Sequence, residues 1–252
     1  MVDPARIEEA TLNALQTQQQ LFYDGWLLRL SPGKAKRGRS VNPHFGSSLP
    51  LAGKIDHCER VYAGRSLPAL FRITPFGKPA ELDDALHGRG YVAFDRTLVQ
   101  VVALDGDLPR DGHRDGVELV APPIAEFVEA AGELRGSTAE QRTAHLERLA
   151  CTPLAMRAIV ARVDGRVVAC GQVAMERDLA GVYDMVTAHD MRGRGIATRI
   201  VRALLAWARA QRATHAFLQV NDDNAPAHAV YGRFGFATLY TYHYRARPHE
   251  CR

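Results

Sequence analysis

Cysteine is scarce in this 252-residue chain: Cys58, Cys151, Cys170 and Cys251 lie far apart, with no C-x-x-C pair. That spacing argues against a disulfide scaffold and leaves reduced, structural thiols as the expectation. No H-E-x-x-H occurs, and His57 beside Cys58 has no partner at ligand spacing, so no metal site is expected. No apolar run approaches the ~18 residues that a membrane span needs. The N-terminal Met1–Glu9 lacks the apolar core of a signal peptide, so a cytoplasmic protein with no membrane partner is expected. A G-x-S-x-G elbow is missing, which counts against a serine hydrolase. Charge of neither sign dominates: the net charge is +4, with 24% charged and 46% hydrophobic residues, as in soluble globular proteins. The basic cluster Lys34, Lys36, Arg37 and Arg39 around Gly33 and Gly38 has no interleaved aromatics. A solvated hairpin loop, and no nucleic-acid partner, is expected there.

What is present is concentrated between residues 181 and 236. An extended run from Gly181 to Thr187 is rich in strand formers. The turn Arg192-Gly193-Arg194-Gly195-Ile196-Ala197 follows. A helix then places Ile196, Ile200, Val201, Leu204, Leu205 and Ala208 on one face at the 3.6-residue period. Backbone N–H groups presented at a helix N-terminus form an anion site, commonly for phosphate. The glycines would let the backbone approach the ligand without a Cβ in the way. Two better-known phosphate loops fail here. No G-x-x-x-x-G-K-[ST] run exists, and Thr198 stands where a dinucleotide fingerprint needs a third small residue.

The turn resembles the signature Q/R-x-x-G-x-G/A of the GNAT superfamily of acyl-CoA-dependent N-acetyltransferases, in the frame Arg192-x-x-Gly195-x-Ala197. In the frame ending at Gly195, Asp190 departs from the pattern. Downstream, after a strand at Phe217–Val220, Asn224, Ala227, Tyr231, Gly235 and Phe236 are similar to that superfamily's N-x-x-A-x-x-x-Y-x-x-x-G-F block. The resemblance implies an α+β fold with a mixed, mostly antiparallel sheet and flanking helices. It also implies acetyl-CoA as the donor and an amine of a small molecule or peptide as the acceptor. A non-catalytic acyl-CoA sensor is the rival expectation. A mildly basic chain, with a pI near 9.0, suits a polyanionic ligand.

The length suits two domains. Residues 105–116, rich in Asp, Gly and Pro, read as a linker between an N-terminal region, 1–104, and a catalytic domain, 117–252. In the latter, strand Val117–Val120 precedes helices over 123–134 and 138–149, the second opening on a Thr138-x-x-Gln141 capping box. A hairpin then turns at Asp164-Gly165. The first region faintly repeats the plan, with a helix at Leu51–Tyr62, a strand at Ala69–Thr74, a helix ending before Gly90-Tyr91, and a strand at 97–104. It lacks the glycine turn. Tandem proteins of the superfamily in which one half has lost its cofactor loop look like this. A monomer or a homodimer is expected.

By the resemblance, the amides of Gly193, Arg194, Gly195, Ile196, Ala197 and Thr198 hold the pyrophosphate, with Arg192 and Arg194 adding charge. Met185, Val186 and Thr187 pair with the pantetheine arm where that strand splays from Phe217–Val220. A backbone N–H of Val186 or a neighbour serves as the oxyanion donor. Tyr231 is expected to protonate the leaving thiolate. Asn224, with Ala227 and Tyr231, contacts the cofactor, although Asn224 also reads as a helix N-cap. For the base that takes the amine proton, Glu176, Asp178, Asp184, His189 and water stay open.

Overall fold

In a computed structural model, residues 2–109 and 116–251 are described, so half of the expected 105–116 linker lies outside them. Helix α1 (Pro4–Ala14) starts on Asp3, whose side chain accepts from the Ala5 amide, with proline in its first turn. Strands β1 (Gln20–Tyr23), β2 (Trp26–Arg29) and β3 (Ser40–Pro43) follow, then α2 (Leu51–Ala63), β4 (Leu70–Ile73), α3 (Leu82–Gly88) and β5 (Val92–Ala103). The second region runs β6 (Val117–Val120), α4 (Ile124–Arg135), α5 (Ala139–Ala150), β7 (Met156–Val163), β8 (Arg166–Glu176) and β9 (Leu179–Thr187). It ends with α6 (Ile196–Ala210), β10 (His215–Asn221), α7 (Ala225–Gly232) and β11 (Ala237–Ala246).

The capping box at Thr138 and Gln141 forms, with both reciprocal hydrogen bonds made. Asp164 and Gly165, both at positive φ, close the β7–β8 hairpin. The six apolar residues read as one face of α6 are its six buried residues. They pack on β7, β8 and β9, each burial contributing roughly 1.5–3 kcal/mol for the larger side chains.

Among the described residues, all eleven strands share one sheet, in the order β1-β2-β3-β4-β11-β5-β10-β9-β8-β7-β6. Most neighbours are antiparallel, but β3–β4 and β9–β10 are parallel. The two regions exchange their last strands: β5 lies between β10 and β11, and β11 between β4 and β5. The boundary expected at 104–105 therefore follows a strand that is embedded in the other region's part of the sheet. The parallel units β3-α2-β4-α3-β5 and β9-α6-β10-α7-β11 repeat one topology, as the faint sequence repeat predicts.

Helix α1 ties the seam together. Its Glu8 accepts from both terminal nitrogens of Arg72 on β4 and from the Tyr240 hydroxyl on β11, and all of these groups are buried. The Arg72 guanidinium also lies 3.9 Å over the Tyr242 ring. Such a pair is costly to break from one side, by about 3–5 kcal/mol, because the remaining charge is stranded.

The basic segment at residues 34–39 is not the solvated loop expected. A 3-10 turn at Lys36–Gly38 folds it inward, Lys36 pairs with Asp95 at 2.9 Å, and Arg37 lines the cleft described below. Clustered cations read as solvated when the sequence does not show the carboxylates and rings that receive them.

Candidate active site

Strands β9 and β10 stay paired only from Leu179↔His215 to Val182↔Leu218. Beyond that point they diverge, and a cleft of about 890 Å³ opens between Tyr183–Thr187 on one side and Gln219–Asn221 on the other. The divergence coincides with a bulge. On its β8 side, β9 pairs Tyr183 with Gln172 and then Val186 with Cys170, leaving Asp184 and Met185 outside the register. Asp184 takes φ of 54°, a conformation uncommon outside glycine, asparagine and aspartate. Simple alternation over 182–187, which puts Asp184 opposite Tyr183 and Met185, fails here because a bulge adds a residue and re-aims the side chains. Gly171 makes room for it: a Cβ there would sit 2.2 Å from the Met185 sulfur.

The strand leads through a 3-10 turn at His189–Met191 into the glycine turn. Arg166 holds Asp190 at 2.8 Å, and the Arg192 Nε donates to the Thr187 carbonyl at 3.4 Å. Gly193 and Gly195 have φ of 72° and 75°, and Gly195 is the N-cap of α6. A Cβ on either would meet nothing within 4 Å. The glycines are therefore required by backbone conformation, and the space over the turn is left open. Exposed Arg192 and Arg194 flank it.

Every residue expected to hold the cofactor lines this one cleft: Met185, Val186 and Thr187, the turn from Arg192 to Thr198, and Asn224, Ala227 and Tyr231. Asn224 also caps α7, accepting from the Ala227 amide at 3.2 Å. Tyr231, 8% exposed, sits edge-on to Phe236, and burial pushes its hydroxyl up to about 12. It is fully protonated at neutral pH.

Of the side chains considered as bases, only Asp184 lies in the cleft. Burial alone would raise its carboxyl. Arg135, then His145 and Arg148, outweigh that and hold it well below the usual range, so it is a poor proton acceptor. Glu176, the last residue of β8, accepts from the Asn13 amide, and Asp178, in the β8–β9 turn, pairs with Arg6 at 2.6 Å. His189 precedes the turn without lining the cleft.

Arginines outside the expected site also line the cleft, among them Arg37, Arg135 and Arg148. Arg135 and Arg148 look in sequence like ordinary cations in the last turns of helices. Only the fold reveals that they converge on Asp184.

Residues 126–236 match the model of the acetyltransferase (GNAT) family. The chain is 26% identical over 249 residues to YobR of Bacillus subtilis (strain 168), described as an uncharacterized N-acetyltransferase, covering 98% of this chain and 100% of that one. A GCN5-related N-acetyltransferase from Kribbella flavida superposes with a TM-score of 0.72 at 21% identity, over 98% of this chain and 96% of its own. A tandem GNAT protein from the clavulanic acid biosynthesis pathway gives 0.61 at 18% identity, over 77% and 68%. The fold is the α+β GNAT fold in its tandem form.

Proposed function

With residues 126–236 an acetyltransferase domain of the GNAT family, we propose that the chain is an acetyl-CoA-dependent N-acetyltransferase acting on the primary amine of a small molecule or peptide. The observation that carries this is the continuity of one cleft from the helix-capping glycine turn to the splay between β9 and β10. The turn fits a pyrophosphate. It presents amides at a helix N-terminus, keeps the space above Gly193 and Gly195 clear, and is flanked by two exposed arginines. When bound, acetyl-CoA supplies an activated acyl thioester.

The chain's own residues then hold, polarise and protonate. Gly193 to Thr198 hold the phosphates through their amides. The β9 edge at Met185–Thr187, freed from β10, offers strand-like hydrogen bonds to an extended ligand. A backbone N–H at the bulge, that of Val186 or a neighbour, serves as the oxyanion donor.

Tyr231 donates its proton toward the leaving sulfur. Against a thiol near 8.5, a phenol pushed to about 12 is a weak acid, and full transfer is uphill by roughly 5 kcal/mol. Tyr231 therefore acts first as a hydrogen-bond donor, with the proton moving as negative charge develops. No side chain in the cleft is poised to deprotonate the amine, and water takes that role. No helix among the described residues is long and apolar enough to cross a membrane, and a cytoplasmic location suits the reading.

The test follows free thiol released from acetyl-CoA across a panel of primary amines. Amine-dependent release supports the enzyme. Tight acetyl-CoA binding with no release from any amine would make the chain a sensor instead.

A further inference from the structure

At the end of the cleft away from the glycine turn, five side chains have no part in the reaction proposed above: Arg37, Arg135, Arg148, Gln172 and Asp184. They come from five separate places. Arg37 lies in the β2–β3 connection of the N-terminal region, Arg135 and Arg148 end α4 and α5, Gln172 is on β8, and Asp184 is in the β9 bulge. Asp184 receives Arg135 at 2.8 Å, Arg148 at 3.5 Å, His145 at 3.1 Å and the Gln172 amide nitrogen. The carboxylate that does feel Arg37, Glu8, is already held by Arg72 and Tyr240. Arg135 and Arg148 thus share one carboxylate, and Arg37 makes no ion pair among the described residues.

Two polar groups in this cluster are left over. The Arg37 Nε is buried without a hydrogen-bond partner, and its guanidinium carbon lies 5.8 Å over the Tyr183 ring rather than against a carboxylate. Gln172 is 2% exposed, and its Oε1 is also buried without a donor. The orientation of that amide follows from chemistry. The ionised Asp184 can only accept, so the NH₂ must face it and the oxygen must point away. A buried polar atom left without a partner is costly, so each orphan favours a ligand that satisfies it. Burial, and then the neighbouring Arg37 and Arg135, pull the Arg148 guanidinium below its usual value despite Asp184. One surplus cation and one surplus acceptor, both lining one cleft, describe the complement of a ligand that is both an anion and an N–H donor.

We propose that the acceptor is an amine carrying a carboxylate within a few bonds of its nitrogen, as an amino acid does. Arg37, with Arg148, takes the carboxylate, and the Gln172 Oε1 accepts from the amine. Arg37 is then the N-terminal region's contribution to specificity, since it reaches across from outside the domain that carries the glycine turn. The amine's fate rests on the acetyltransferase reading, whereas the binding preference does not.

The experiment pairs common free amino acids with their own carboxamides. Each pair is read twice, by calorimetric binding in the presence of coenzyme A and by thiol release from acetyl-CoA. For the best pair, the acid should bind at least about tenfold more tightly than the amide, as expected for a partly buried charge-assisted contact. Arg37→Gln should bring that ratio close to one. Acid-selective binding without thiol release keeps the subsite and removes the acetyltransferase reading. Thiol release that ignores the carboxylate keeps the enzyme and overturns the subsite. Equal binding of acids and amides by the unaltered protein, or no binding of either, overturns it too, with water then satisfying the two orphaned groups.

Discussion

The same strand–turn–helix unit occurs twice in this molecule, and the two copies treat their turns in opposite ways. Between β9 and α6, the turn holds two glycines at positive φ and keeps the space above them open. Between β3 and α2, the chain fills that space itself. Asp24, at the tip of the β1–β2 hairpin, accepts from the amides of Ser48 and Leu49 at 3.0 and 2.9 Å and from the Ser48 hydroxyl at 2.8 Å. Lys54 in the first turn of α2 completes the pair at 3.0 Å. The corresponding hairpin tip, Asp164-Gly165, joins β7 to β8, and no hydrogen bond among the described residues ties Asp164 to the glycine turn. The turn that would take an exogenous anion in one half corresponds, in the other, to a loop before the helix whose amides hold an internal carboxylate. The comparison extends further. Gly90 and Gly235 share a φ near 80° (82° and 81°), each before an aromatic residue, Tyr91 and Phe236. Four residues before each stand Leu86 and Tyr231, both buried, so the N-terminal copy has no hydroxyl where the other has its proposed proton donor.

The largest expected difference is all or none. A crystal soaked in acetyl-CoA should hold one molecule per chain, against residues 185–198. Density for a second molecule beside Ser48 and Leu49 would abolish the asymmetry. Next in size is Tyr231→Phe, which removes a hydroxyl and almost no volume. Its kcat should fall by roughly 100-fold, while acetyl-CoA affinity stays within a few-fold, because the lost interaction belongs mainly to the transition state. A Phe variant with undiminished kcat, measured where chemistry limits turnover, would make Tyr231 a packing residue equivalent to Leu86.

A smaller effect distinguishes the turns themselves. Valine at Gly195 must adopt a φ that a β-branched residue avoids, so the turn should rearrange. Gly195→Val should weaken acetyl-CoA binding by more than about tenfold in calorimetry. Gly46→Val, at a position with an ordinary φ and open space, should leave it unchanged. Equal affinities for the unaltered protein and Gly195→Val would remove the phosphate-loop reading.

Much of the second half was legible in sequence because its signals are local. A 3.6-residue period, a capping box, a two-residue hairpin turn and a glycine turn each specify their own few residues. The N-terminal copy was legible only faintly, since its recognisable parts are spacings and its turn carries no glycine pair. Three features were not legible. The exchange of β5 and β11 is a pairing choice between two strands of similar character, and nothing local to either strand declares it. The bulge at Asp184 depends on Gly171 across the ladder, which alternation cannot foresee. The gathering of Arg37, Arg135, Arg148, Gln172 and Asp184 along one cleft draws on residues up to 147 positions apart in sequence. The Arg37 side of the cleft was therefore invisible, although the residues lining it around the glycine turn could be named from the sequence.

The smallest effect tests whether Asp24 is a built-in substitute for a bound anion. Its carboxyl is held well below the ordinary range, first by the Leu49 amide and then by the Ser48 amide, with help from the Ser48 hydroxyl and Lys54. Because the folded-state value is depressed, the stabilisation is present above the unfolded value near 3.9 and fades as pH falls from there toward the folded value. Asp24→Asn keeps the shape and removes the charge, so it should melt below the unaltered protein at pH 7. The gap between the two should narrow once the pH drops under about 4. Acetyl-CoA affinity should not change, since the glycine turn lies in the other copy. A gap that persists unchanged into acid would mean that Asp24 stabilises the turn by shape alone. A loss of acetyl-CoA binding would mean that the two turns are coupled through the shared sheet.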